Sequence, residues 1–93
     1  MKTKELPFEQ VFEAWENDKD GDYISVLPDE NRAYYCDGGS SLIEIYPPKN
    51  GNIWAGIRAW QEKEGYFPNI WFANDHGNLS LYDNKGNYLG GIV

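Results

Sequence analysis

Residues 53–65, IWAGIRAWQEKEG, decide how many helices the chain contains. Ile53, Ile57 and Trp60 recur at helical spacing, Asn52 suits a helix start and Gly65 a helix stop. Against this, KNGN at 49–52 resembles a hairpin turn and follows the β-prone run LIEIYPP, so that 53–60 also reads as a returning strand. On the residues alone the segment is read as a strand over 53–60 followed by a loop over QEKEGYFP, with a second helix over 53–64 as the alternative. Either choice leaves an α+β fold, in which an N-terminal amphipathic helix packs on a mostly antiparallel sheet of meander and hairpins.

The flanking sequence supplies the rest of that sheet. Upstream, YISVL (23–27), RAYYC (32–36) and SLIEIY (41–46) are β-prone runs separated by PDEN and DGGS, which are turn-forming clusters. Downstream, NIWFAND, LSLYD and YLGGIV read as three strands joined by HGN and NKGN. Before the first strand, PFEQVFEAWE (7–16) places Phe8, Val11, Phe12 and Trp15 at i, i+3, i+4 and i+7, which predicts a helix with one buried stripe. Pro7 suits its first position, where a missing N–H costs nothing.

With 93 residues there is room for one core, so residues 1–93 are expected to form a single domain. The hydrophobic fraction of 41% and aromatic fraction of 16% are enough to close that core without disulfides, and Cys36 is the single cysteine. A reducing, cytoplasmic setting is the expectation. The opening MKTKELPFEQVFEAW has no apolar core of a signal peptide, and no stretch approaches the roughly 20 apolar residues of a membrane span.

The net charge of −7 is unevenly placed. Residues 5–30 hold nine carboxylates (Glu5, Glu9, Glu13, Glu16, Asp18, Asp20, Asp22, Asp29 and Glu30) against one base, Lys19, a local charge of −8. Glu5, Glu9, Glu13 and Glu16 form a ridge beside the apolar stripe, one carboxylate about every 6 Å at roughly 1.5 Å of rise per residue. Such a field repels nucleic acid and anionic lipid and attracts basic protein surfaces. The plainer reading is a solvated helix face that serves solubility.

Sites with their own chemistry are weaker. DKDGDYIS (18–25) places Asp18, Asp20 and Asp22 where a calcium loop has its first three ligands, but Tyr23 stands at the sixth position, which calls for Gly. An acidic helix-to-strand connection explains it better. Cys36 has one candidate base, His76, and two such residues are too few for zinc. The pairs Glu62 and Glu64, or Asp75 and Asp83, have glycosidase residue types without evidence of separation. Trp54, Trp60 and Trp71 lie in apolar runs that suit a core, whereas Tyr34, Tyr35, Tyr66 and Tyr88 are the candidates for an exposed platform.

No catalytic residue, metal or cofactor is therefore expected. The leading expectation is a small acidic binding protein that occupies a basic partner surface, such as that of a nuclease or other nucleic-acid-binding enzyme, by imitating phosphate charge. Toxin-neutralising immunity proteins and phage inhibitors of host nucleases fit that description. The alternative is a carbohydrate- or peptide-binding β-domain that uses exposed aromatics.

Overall fold

The computed structural model describes residues 8–18, 21–38, 41–73 and 79–92. They run as helix α1 (Phe8–Asp18), strand β1 (Asp22–Leu27), a 3-10 turn (Pro28–Glu30), β2 (Arg32–Asp37), β3 (Ser41–Ile45), α2 (Ile53–Glu64), β4 (Ile70–Ala73), β5 (Leu79–Tyr82) and β6 (Tyr88–Ile92). The expected strand at 53–60 is thus a helix, and its two ends show why. Asn52 Oδ1 accepts from the Ala55 N–H at 3.1 Å, and the Ile53 N–H donates to Asn31 Oδ1 at 2.6 Å, which satisfies two of the N–H groups a helix start leaves open. At the other end Gly65 takes the left-handed conformation, φ 67°, and returns its N–H to the Gln61 carbonyl at 2.8 Å.

Gly56 lies inside this helix, although glycine in a helix interior costs about 1 kcal/mol relative to alanine. Its place is set by packing. A Cβ there would run into the Tyr46 carbonyl oxygen and lie 3.1 Å from Pro47 Cα. The helix is pressed onto the chain that leaves β3, and only a bare backbone fits.

The helix also sets the topology. The strand order is β3-β2-β1-β4-β5-β6, two antiparallel meanders joined through their first strands. β1 and β4 pair in parallel, Ile24 opposite Ile70 and Val26 opposite Phe72, while the other pairings are antiparallel. Parallel neighbours require a long crossover, and α2 provides it by carrying the chain from the β3 edge back to the sheet centre.

Side chains alternate across a strand, so neighbouring residues feed opposite faces. Ile24, Val26, Ala33, Ile45 and Ile70 bury against Ile53 and Ile57 of α2, flanked by Tyr35, Trp54, Trp60, Phe72 and Tyr82. On the other face Trp71 and Leu81 bury against Val11 of α1, with Ala14, Trp15, Tyr23 and Leu89 around them. The buried stripe of α1 is therefore Val11, Ala14 and Trp15. Phe12, expected inside, is 41% exposed and contacts Trp15 at 5.7 Å between ring centroids. Among the described residues no helix is long and apolar enough to cross a membrane.

Candidate functional site

The acidic residues of the first third are divided by the fold. Glu9, Glu13 and Glu16 are exposed on α1, away from the face that Val11 buries. Asp18 closes the helix at the end where the dipole is negative and no basic residue occupies the last turn. Its carboxylate is held there by neutral donors: Oδ2 accepts from Trp71 Nε1 at 2.7 Å and from Asn69 Nδ2 at 2.8 Å. Asp18 thus ties α1 to β4.

Asp22 begins β1 and stands directly opposite Asp37 of β2. Both lie on the strand positions that face α2, as Ile24 and Tyr35 do. Carboxylates at one antiparallel rung repel each other, so this end of the sheet concentrates negative potential on rigid backbone. Two tyrosines border it. Tyr66 donates its hydroxyl to Asp22 Oδ2 at 3.2 Å, and its ring meets Tyr35 edge-on at 6.2 Å. Tyr35 in turn packs on Trp60 at 4.9 Å. Burial, then a hydrogen bond to Asp22 and the charges of Asp22 and Asp37, push the Tyr35 hydroxyl up to about 12. Burial and the same aspartates raise Tyr66 as well.

Asp29 and Glu30 lie elsewhere. They occupy the 3-10 turn at the far end of β1, five strand steps from Asp22, or about 17 Å at roughly 3.3 Å per residue. There Arg32 answers part of their charge, 3.7 Å from Glu30 and 3.8 Å from Glu44, with its guanidinium 5.4 Å over the Tyr34 ring and donating to the Tyr34 hydroxyl. Asp18 and Asp22 on one side and Asp29 and Glu30 on the other therefore belong to two surfaces. Glu5 and Asp20 lie outside the described residues.

The other candidates are placed as follows. Cys36 is buried on β2; burial pushes its thiol up, while a hydrogen bond with Tyr23 pulls it partly back. A thiol raised by burial is poorly suited to act as a thiolate nucleophile. His76 and Asp75 lie outside the described residues. Glu62 and Glu64 are exposed on α2 two residues apart, a spacing that sends them in different directions. Among the described residues no group of three or more His, Cys, Asp or Glu is arranged to hold a metal ion.

The tyrosine candidates are more engaged than expected. Tyr34 lies half-buried under Arg32, Tyr35 on Trp60, and Tyr88 edge-on to Tyr82 at 5.7 Å, leaving Tyr66 the exposed one of the four. Among the aromatics whose exposure is described, Tyr46 is the most exposed, at 71%, just beyond the edge strand β3. Trp71 is buried, and Trp54 and Trp60 pack against the core from its border.

Sequence reasoning missed Asp37, although a signal for it exists. The four-residue PDEN connection puts Leu27 opposite Arg32, and counting back along both strands brings Asp22 opposite Asp37. No known protein family matches the chain, and no curated protein or solved structure is similar to it at a significant level.

Proposed function

We propose that this protein is a small acidic binding protein that docks on a basic protein surface, in the manner of an inhibitor that takes the place of nucleic-acid phosphates. The observation that carries this reading is the row of exposed Glu9, Glu13 and Glu16 on α1, a helix that ends at the anchored Asp18, four residues before Asp22 enters its rung with Asp37. A carboxylate about every 6 Å along α1 sets roughly one charge against two phosphates of a strand, which are about 3.4 Å apart along the axis. Hydrogen bonds from Trp71, Asn69 and Tyr66 hold Asp18 and Asp22 in place before any partner arrives. Fixed charges of one sign accelerate encounter with a cationic surface and make it salt-dependent.

One observation favours a second reading. β3 is an edge strand that exposes Leu42 and Ile43, with Tyr46 just beyond, and an apolar edge accepts an extended peptide as an added strand. A single experiment separates the two. The wild type and a variant with Glu9→Gln, Glu13→Gln and Glu16→Gln are used to capture nucleic-acid-binding proteins at low and high salt. The acidic reading expects a partner that is retained by the wild type at low salt, released at high salt and lost in the triple variant. Equal capture by the variant removes it. A partner kept through high salt and lost with Tyr46→Ala favours the edge strand instead.

A further inference from the structure

Gln61 occupies the inner row of α2 after Ile53 and Ile57, at the spacing i, i+4, i+8. It is 1% exposed, and its side-chain Nε2 has no hydrogen-bond acceptor. An apolar side chain would complete that row; an amide there carries the desolvation cost of a donor with nothing to donate to. Gln61 lines a pocket of about 240 Å³ between α2, the chain after it and the β5–β6 turn, together with Arg58, Glu62, Phe67, Asn84 and Lys85.

We propose that this pocket binds a small organic carboxylate bearing an apolar group, whose entry turns the Gln61 amide, closed off from solvent in this structure, toward the ligand oxygens. Several features set that chemistry. Arg58 and Lys85 bring two positive charges to one mouth in a chain of net charge −7. Among the described residues both ion pairs are made by Arg32, so Arg58 is committed to neither. Lys85 shares its surroundings with Asp83, but that carboxylate already accepts from the N–H groups of Lys85 and Asn87 and from Asn87 Nδ2. Those bonds also hold the turn, and Lys85 with it, against α2: a Cβ at Gly86 would meet the Trp54 ring at 3.2 Å. Phe67, half exposed, supplies an apolar wall. Glu62 on the rim disfavours a doubly charged anion, which selects a carboxylate over a phosphate. The volume lies below the roughly 300–1,000 Å³ of drug-sized sites, so the ligand is fragment-sized.

The proposal does not depend on the acidic reading, although the two surfaces adjoin: Tyr66, which donates to Asp22, is the chain neighbour of Phe67 in the pocket wall. Its test is a titration of the full chain with benzoate, followed through the Gln61 side-chain amide and the Arg58 guanidinium by nuclear magnetic resonance, with benzamide and inorganic phosphate as parallel probes. Saturable shifts with benzoate are expected, with benzamide and phosphate about tenfold weaker or more, a difference of about 1.4 kcal/mol. Arg58→Gln and Lys85→Gln should each weaken benzoate several-fold, as partly exposed charges do. Gln61→Leu should abolish binding without lowering Tm, because no hydrogen bond within the protein is lost. Absence of saturation, equal binding of benzamide or phosphate, or wild-type affinity in Gln61→Leu would each overturn the proposal. Should Gln61→Leu fail to fold, unchanged benzoate affinity in both Arg58→Gln and Lys85→Gln overturns it equally.

Discussion

The two helices differ in what they are made to do. α2 is capped at both ends, buries a row of isoleucines and presses so closely on the chain beyond β3 that one of its residues must be glycine. α1 buries Val11 with Ala14 and Trp15 beside it, leaves Phe12 partly exposed and shows glutamates outward. The first helix of the chain carries the exposed acidic face, and the second is framework. The lesson is that the densest sequence signal, the acidic amphipathic segment, marks the surface proposed to meet a partner, while the ambiguous segment determines how the sheet is ordered.

Breaking the framework should have the largest effect. Gly56→Ala improves intrinsic helix propensity by about 1 kcal/mol, yet it drives a methyl into the Tyr46–Pro47 backbone. Overpacking of this kind costs about 1–3 kcal/mol. The expected outcome is a lower urea midpoint with unchanged slope. A gain in stability would mean that α2 is not pressed against the chain, and the contrast between the helices would lose its basis. Changing exposed glutamates of α1 should move stability by no more than about 0.5 kcal/mol.

This contrast also explains what could be read from the sequence. The strands β1 to β3 are legible because PDEN and DGGS punctuate runs rich in β-branched and aromatic residues. α1 is legible because its apolar spacing is regular, but Phe12 is placed wrongly, since which of two adjacent apolar residues faces inward depends on where the sheet lies. α2 is obscured by KNGN, whose Asn52 acts as a helix cap while resembling a hairpin turn, and the reason for its Gly56 is a contact with residues 46–47. The acidic site is half legible: Glu9, Glu13, Glu16, Asp18 and Asp22 are evident, and Asp37 requires the β1–β2 register. The Gln61 pocket joins three segments that only the crossover brings together.

The tie between the acidic face and the framework is Asp18. Replacing it by alanine leaves the indole N–H of Trp71 buried without its acceptor, with an expected cost of about 1–3 kcal/mol. Asp18→Asn keeps an oxygen acceptor while removing the charge, so its stability should lie closer to that of the wild type. If alanine and asparagine prove equally mild in denaturant titrations, Asp18 is only part of the charge display. If asparagine is as damaging as alanine, the negative charge itself is structural and the separation between the two helices is less clean than drawn.

The smallest effect is expected where the two regions meet, at Tyr35, whose ring packs on Trp60 of α2 while its hydroxyl faces Asp22 and Asp37. Burial is the first cause of its raised value of about 12, and the aspartates add to it. A folded-state value above the unfolded one means that the native protein holds this proton more tightly. The resulting stabilisation is fully present below the unfolded value near 10 and is lost as pH rises through about 12. Phenolate absorbance should therefore lose its latest-titrating tyrosine in Tyr35→Phe, with alkaline unfolding shifted to match, while Tyr23, Tyr66 and Tyr82 still titrate above the ordinary value. Asp22→Asn should bring that titration partly back toward 10, and only partly, because burial against Trp60 remains. A complete return would assign the whole shift to the acidic surface, whereas no change would assign it to the framework.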